Sequence, residues 1–473
     1  MNREAFFIGG SWRMSDRVRP VVNPYEGKTV AEVCQASAAE IEEAIGAAVA
    51  AFEEMRRLSS RERSGILAAA SRDLGARREE FAHLITSETG KPISFSRVEA
   101  DRAVFTLQVA SEEASRLEGS MLPLDLVPGS EGRMALVRRF PIGPVAAITP
   151  FNFPLNLVAH KLGPAFAVGN PVVLKPSSSA PVTALALARI FEATGLPKGG
   201  LNVVPCLSDE AGQLVEDTRL KLITFTGSPA VGWALKSRAG KKKVTLELGG
   251  NAAVVVDASA DVGLALRRTV AGAFGNAGQS CIAVQRVFVH ESLRDSFIGQ
   301  LVELTKTVAT GDPSDERTVV GPMITVQAAK QVEEWILSAV SAGARVLCGG
   351  RRREAILEPT VIVDAPPDQP VCAQEVFAPV VVVEAFSSFE QALDRVNDSS
   401  FGLQAGLFSD SLRHVLMAYD RLELGGLIVN DSSAYRIDHM PYGGVKDSGF
   451  GREGLRYAIE EMTEQKLLAL NPN

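Results

Sequence analysis

The sequence predicts an α/β protein built on an open, doubly wound parallel sheet, followed by a second α/β block. Three observations carry this. From Leu136 onward, short apolar runs (Val145–Ile148, Val172–Leu174, Leu201–Val204, Leu222–Phe225 and Ala252–Val256) alternate with helical segments. Apolar strands separated by helices mean a parallel sheet covered on both faces. The chain, at 473 residues, is too long for one compact core, so two or three domains are expected. Its composition, 46% hydrophobic and 22% charged, is that of an ordinary globular enzyme.

Before that sheet comes a helical layer. Phe6–Trp12 and Val21–Pro24 read as short strands with a Gly-Gly turn. Ile41, Ile45, Ala48, Phe52 and Met55 recur at helical spacing, and Ser60 offers a cap to a second helix striped by Ile66, Leu67, Ala70 and Leu74. A third helix through Phe81, Leu84 and Ile85 stops at Gly90, with Pro92 just beyond. A fourth spans about Phe95–Leu117. The helices between the sheet strands fall near Leu155–Val168, Val182–Thr194, Asp209–Asp217 and Ala230–Arg238. Ligands of such sheets bind beyond the carboxyl ends of the strands, where Thr149–Asn152, Lys175–Ser179 and Thr226–Ser228 lie.

The second block reads as a helix (Val262–Ala277), a strand (Arg286–His290), a long helix (Leu293–Val308) and a polar loop with Gly311–Pro313. A helix (Val326–Ala342), strands near Thr360–Val363 and Val380–Ala385, and a helix around Phe389–Val396 complete it. Val127–Arg138 is a polar interruption suited to a protruding hairpin. Lys466–Leu470 looks like a strand in need of a partner, another subunit being one choice.

The net charge of −7 is mild, and no basic run exceeds Lys241–Lys243, which argues against nucleic acid as a partner. The cysteines, Cys34, Cys206, Cys281, Cys348 and Cys372, form no C-x-x-C pair, and no histidine cluster has metal spacing. Neither a metal site nor a disulfide framework is therefore expected, and a reducing, cytoplasmic setting is. The N-terminus carries no apolar signal region. Phe140–Ala159 is uncharged and long enough for a membrane, but Pro141, Pro144, Pro150 and Pro154 are not tolerated together in a spanning helix. It is expected to be buried backbone lining a site, with no membrane association.

Candidate chemistry lies in a few short stretches. Cys281 sits in Phe274–Arg286, where a polar, glycine-bearing helix end runs into a β-branched segment. Such a thiol is a candidate nucleophile, although a lone cysteine is also commonly a small buried hydrophobe. Glu247 in Leu246-Glu-Leu-Gly-Gly250 is a carboxylate inside an apolar segment, costly there unless used or paired. Asn152, between Pro150 and Pro154, is a neutral donor suited to an oxyanion, or a turn asparagine. Thr224-Phe-Thr-Gly-Ser228 before Pro229 is a strand–turn–helix whose N–H groups suit a pyrophosphate, or a tight structural turn. It lacks the G-x-G-x-x-G pattern. Leu174-Lys-Pro-Ser-Ser178 ends a strand with a lysine and hydroxyls, a grip for ribose or phosphate, or simply a solvated end.

Pro150-Phe-Asn-Phe-Pro154, Phe225-Thr-Gly-Ser228, Leu246-Glu-Leu-Gly-Gly250, Gly278-Gln-Ser-Cys281, Glu375-Val-Phe-Ala-Pro379 and Pro441-Tyr-Gly-Gly-Val-Lys-Asp-Ser-Gly449 stand in a telling order. Over essentially its whole length the chain resembles the aldehyde dehydrogenase superfamily. The resemblance implies a Rossmann-like dinucleotide-binding domain without the usual glycine fingerprint (1–122 and 142–249) and an α/β catalytic domain (250–445). It also implies an oligomerisation element (123–141 and 458–473) and a homodimer or homotetramer. The implied reaction is NAD(P)-dependent oxidation of an aldehyde to its acid. Cys281, as thiolate, would attack the aldehyde carbon. The Asn152 amide and the Cys281 backbone N–H would hold the oxyanion. Hydride would leave for the nicotinamide, giving a thioester, and Glu247 would activate the water that hydrolyses it. Lys175 and Ser178 would contact the adenosine ribose, Gly227 and Ser228 would lie beside the pyrophosphate, and Glu375 would bind the nicotinamide ribose with Phe377 nearby. Thr149, Pro150, Val231 and Leu248 would also contact the cofactor.

Three positions depart from the family's common pattern. Ser178 stands where NAD-preferring members often carry glutamate, which leaves room for a 2′-phosphate. Both cofactors are expected to be accepted, with NADP preferred. Phe151 replaces a common tryptophan. Ser280 stands where relatives using phosphorylated aldehydes place arginine. The run Asn430–Tyr442 resembles the branch that uses small polar or anionic aldehydes, such as lactaldehyde, succinate semialdehyde or glyceraldehyde-phosphate-like compounds. Arg436 is a candidate for an anionic substrate end, and His160 shares a helix face with Asn156 that could point at the pocket. Phe151, His160, Ser280 and Arg436 are thus the substrate candidates, and Arg102 is a weaker one, read rather as a satisfied surface or packing residue. A CoA-acylating relative would generally lack Glu247, and a catalytically silent one would not be expected to retain Cys281, Asn152 and Glu247 together.

Overall fold

The computed structural model describes residues 3–207 and 209–471. The extreme ends of the first and last expected segments, residues 1–2 and 472–473, lie outside the described residues. The chain folds around two large sheets, one of eight strands and one of seven.

In the eight-stranded sheet, Val145–Ile148 lies between Val172–Lys175 and Leu222–Thr226, parallel to both. The chain first adds Val172–Lys175 and Leu201–Val203 on one side, then crosses back to add Leu222–Thr226 and Lys243–Glu247 on the other. The reversal between Val145–Ile148 and Leu222–Thr226 is a topological switch point, where open α/β sheets leave a crevice at their carboxyl ends. Alternation along Val145–Ile148 feeds two cores. Val145 and Ala147 join Leu107, Leu162 and Phe166 on one face, while Ala146 and Ile148 join Ile41, Ile45 and Ile223 on the other.

Two expectations shift here. Ala253–Val256 belongs to the second sheet, between Arg286–His290 and Gln404–Phe408. The strand that completes the first sheet on this side is Lys243–Glu247, whose charged ends conceal it among the apolar runs. The second helix is capped by Ser59, not Ser60, because Glu62 stands three residues after Ser59 and closes a capping box.

The seven-stranded sheet runs Arg345–Cys348, Thr360–Val363, Val380–Phe386, Arg286–His290, Ala253–Val256, Gln404–Phe408 and Gly426–Val429. Ala253 is in register with Arg286, and Arg286 with Val382. The loops entering these parallel strands therefore sit side by side and bring Gly250, Cys281 and Glu375 together. The helix expected over Val262–Ala277 ends at Phe274, because Asn276 (φ 53°) and Ala277 (φ 54°) are left-handed and turn the chain into the cysteine loop. Holding a non-glycine residue there costs about 1–3 kcal/mol. Gly278 has no such freedom to change, since a Cβ would lie 2.2 Å from the Ala378 carbonyl oxygen.

Ser120–Pro123, Met134–Pro141 and Thr463–Leu470 form an antiparallel flap. The tail strand thus finds its partner in its own chain, from Thr463 opposite Pro141 to Leu470 opposite Met134. The flap leaves Met121, Leu122, Leu467 and Leu468 exposed. Among the described residues no helix is long and apolar enough to cross a membrane, no cluster of metal-ligating side chains occurs, and the cysteines are free.

Candidate active site

A cavity of about 310 Å³ opens where the carboxyl ends of the first sheet meet the strand-entry loops of the second. The proline-bounded stretch after Val145–Ile148 places Pro150, Phe151, Asn152 and Phe153 on its wall. The following helix is anchored from below. Glu99 accepts from the Leu155 and Asn156 N–H groups (2.9 and 3.2 Å), a carboxylate at a helix N-terminus, and is itself paired with buried Lys91. Lys91 lies over the Phe153 ring, 3.9 Å from its centroid. These contacts fix the Asn152 loop against the rest of the fold.

Cys281 and Asn152 line the same cavity. The Asn152 amide donates one N–H to the Gln279 carbonyl at 3.0 Å, so the loop bearing the thiol is tied to the first sheet while the second amide hydrogen stays available. Gly250 backs the same loop, where a Cβ would lie 2.2 Å from the Cys281 carbonyl oxygen. The sulfur lies 2.8 Å from the Tyr442 hydroxyl. Burial pushes the thiol up to about 12, opposed by the Tyr442 hydrogen bond.

Glu247, at the end of its strand, is buried, and neither carboxylate oxygen has a hydrogen-bond partner among the described residues. Burial and the nearby Glu453 carboxylate push its pKa well above the ordinary value. Glu453 is equally buried, which alone would raise it, yet Lys161, His160 and Arg436 hold it well below the usual range. Lys161 Nζ donates to Glu453 at 3.3 Å and to the Thr224 and Thr226 hydroxyls at 3.0 and 2.8 Å. Arg436 donates to the other Glu453 oxygen at 3.1 Å.

The cavity is also lined by Thr226, Gly227, Ser228, Leu248, Glu375 and Phe377. Ser228 precedes the helix Pro229–Arg238 without capping it through its side chain, so first-turn N–H groups remain open. Gly249 and Gly250 let Glu375 close in. Its carboxylate accepts from the Gly250 N–H at 2.9 Å, and a Cβ on Gly249 would lie 2.5 Å from it. Burial raises Glu375 to about 7. Phe377 meets Phe151 edge-on, with centroids 6.0 Å apart.

Other expected positions lie outside this cavity. Thr149 is buried and donates its N–H to the Lys175 carbonyl at 3.2 Å. Lys175 ends its strand, buried, with Nζ on the Pro176 carbonyl at 3.3 Å, and Ser178 is half-buried in the loop beyond it. Val231 is about half exposed on the Pro229–Arg238 helix. His160 does not line the cavity, contrary to expectation. Its helix is buried on all sides, and its Nε2 is held 2.9 Å from Asp438. Ser280 and Arg436 do reach the wall. So does Arg102, the weaker candidate, which the sequence reads rather as a satisfied surface or packing residue. Its fork grips Asp438 at 2.7 and 3.0 Å, which turns it inward.

The order of the motifs and the geometry they build are matched by a family model. The aldehyde dehydrogenase family model aligns with residues 12–468. The chain belongs to the aldehyde dehydrogenase family. It is 46% identical over 466 residues to the 3-sulfolactaldehyde dehydrogenase of Priestia megaterium, covering 98% of this chain and 97% of that one. Among solved structures, aldehyde dehydrogenase 21 from Physcomitrella patens, in complex with the reaction product succinate, superposes with a TM-score of 0.98. It is 42% identical and covers 99% of this chain and 98% of its own. The glyceraldehyde-3-phosphate dehydrogenase GapN of Methanocaldococcus jannaschii, complexed with NADP, superposes with a TM-score of 0.93 at 37% identity, covering 96% and 100% of the two chains.

In this aldehyde dehydrogenase, sequence reasoning missed Lys161, Tyr442 and Glu453. Lys161 carried a usable signal, a charge within an otherwise apolar helix, the same argument that singles out Glu247. Tyr442 stands inside the Pro441–Gly449 motif and reaches the thiol only through the fold. Glu453 is identified by its buried partners alone.

Proposed function

We propose that this aldehyde dehydrogenase oxidises a small aldehyde with an anionic end to its carboxylic acid, through a thiohemiacetal and a thioester on Cys281. The observation that carries the anionic end is a pair of arginines on the cavity wall. Arg436 Nε is buried with no hydrogen-bond partner among the described residues, and Arg102 shares the same cavity. A buried guanidinium N–H left unpaired is costly, and a carboxylate or sulfonate oxygen would satisfy it.

In this reading the Cys281 sulfur attacks the aldehyde carbon. The free Asn152 N–H and the Cys281 backbone N–H receive the oxyanion. The raised pKa of Glu247 suits it to take a proton from the water that cleaves the thioester. The cleft fits a dinucleotide. Open N–H groups follow Ser228, and Glu375 offers a carboxylate whose second oxygen has room toward ribose hydroxyls. When bound, the nicotinamide supplies the hydride acceptor. Ser178 beside Lys175 leaves space and positive charge for a 2′-phosphate, so NADP is the preferred cofactor, with NAD accepted. The exposed apolar flap is the oligomerisation element of a homodimer or homotetramer, and the free cysteines fit a cytoplasmic setting.

The test is a panel of 3-sulfolactaldehyde, succinate semialdehyde, lactaldehyde and propanal, assayed for reduced cofactor with NAD and NADP, with and without CoA. Higher kcat/KM for the anionic aldehydes, acid formed without CoA, and NADP favoured over NAD are expected. Preference for propanal would overturn the anionic reading, and dependence on CoA the hydrolytic one. A strong NAD preference would overturn the cofactor reading alone.

A further inference from the structure

Among the described residues no histidine hydrogen-bonds the sulfur of Cys281. His160 is committed to Asp438, and the hydrogen bond recorded for the sulfur goes to the Tyr442 hydroxyl at 2.8 Å. Tyr442 is buried, and its backbone is clamped to Glu453 by paired hydrogen bonds of 3.1 and 2.7 Å. Its ring lies under the Arg436 guanidinium, 3.6 Å from ring centroid to cation, and Arg436 is fixed by Glu453. The phenol therefore has one place to be, against the sulfur.

We infer that Tyr442 sets the resting position and the reactivity of the nucleophile by donating its phenol O–H to the Cys281 sulfur. The inference rests on the reading of Cys281 as the nucleophile. Burial holds the phenol firmly protonated, so once the sulfur has ionised the oxygen is the donor and the sulfur the acceptor. A cation over the ring withdraws electron density and strengthens that donation. On ionisation the S–H bond breaks, its proton leaves to solvent, the electron pair stays on sulfur, and the Tyr442 O–H bond remains intact. The other charged groups facing the sulfur are Glu375 and Glu247, which oppose ionisation, and Arg436, which favours it. Against that balance a charge-assisted hydrogen bond to the thiolate is the contribution that favours attack.

The effect on rate has two opposing parts. Removing the donor raises the thiol pKa by about one unit and cuts the thiolate fraction about tenfold at neutral pH. The thiolate that does form is about threefold more nucleophilic, since reactivity rises with basicity with a coefficient of roughly 0.4–0.5. Below the thiol's midpoint the two combine to a net loss of about threefold.

The experiment is alkylation of Cys281 by iodoacetamide across pH, followed on the Cys281 peptide by mass spectrometry. The wild type is compared with Tyr442→Phe, which keeps the ring under Arg436, and with 3-fluorotyrosine placed at 442, which keeps the shape and is a stronger donor. Tyr442→Phe is expected to react about threefold more slowly than wild type throughout the pH range below the thiol's midpoint. The fluorotyrosine protein is expected to react faster than wild type over the same range. Coincident curves for the three proteins, or a fluorotyrosine protein no faster than wild type, would overturn the role of Tyr442. Turnover in Cys281→Ala would instead remove the nucleophile reading on which it rests.

Discussion

On one wall of the cavity Glu247 presents a carboxylate with no hydrogen-bond partner among the described residues. On the other, Glu453 is bound by Lys161 and Arg436. Both are buried glutamates in one cavity, yet their pKa values are pushed in opposite directions. A carboxyl whose ionisation is disfavoured is ready to exchange a proton, whereas one held as an anion is a fixed charge that orients cations. The same division runs through the rest of the cavity. The wall with Glu247, Gly227 and Glu375 is made of strand ends and glycines that leave groups open. The wall with Arg102, Arg436 and Glu453 is made of charges already paired, with the buried Nε–H of Arg436 left without a partner among the described residues.

If the open wall performs the chemistry and the paired wall selects the substrate, changes to the two should separate in kinetics. The largest effect after loss of the thiol belongs to Asn152→Ala. Its kcat is expected to fall about 10²–10³-fold, as for loss of an oxyanion donor, for neutral and anionic aldehydes alike. A fall confined to anionic substrates would place Asn152 on the wrong side of the division. Next is Arg102→Gln, expected to raise KM for an anionic aldehyde roughly tenfold or more, as for loss of a charged hydrogen bond, while kcat/KM for propanal changes little. Equal losses on both substrates would reduce Arg102 to a structural partner of Asp438.

The smallest effect is a pH dependence of cofactor binding. Glu375 has its pKa raised by burial to about 7, so its anion, the form that accepts from ribose hydroxyls, appears only as pH rises through that value. Cofactor affinity, measured by titration calorimetry, should tighten over this window and flatten in Glu375→Gln. Unchanged affinity in the wild type across the window would show that Glu375 does not hold the ribose as an anion.

The two walls also differ in how far they can be read from the chain. Pro150–Pro154, Thr226–Ser228 and Leu246–Gly250 are legible because backbone geometry dictates them. Prolines pin the loop of Asn152, and glycines let Glu375 approach. The parallel strands are legible where they are wholly apolar, as at Val145–Ile148. Lys243–Glu247 escapes because charge at both ends masks a strand paired on both sides. The paired wall is illegible for a different reason. Arg102 meets Asp438 across 336 positions of sequence, and His160 is turned from the cavity by the same carboxylate. No local pattern encodes such a choice of partner, so the sequence ranks Arg102 below Arg436 and leaves His160 a pocket candidate.

The central claim is that Cys281 carries the acyl group and Glu247 serves its release. Both are tested in Glu247→Gln mixed with aldehyde and cofactor, with the Cys281 peptide weighed by mass spectrometry. Attack and oxidation should proceed while hydrolysis slows by about 10²–10⁴-fold. One equivalent of reduced cofactor should then appear in a burst, and the Cys281 peptide should gain the mass of the acyl group. Steady turnover at the wild-type rate, or a burst with no added mass on Cys281, would contradict the account.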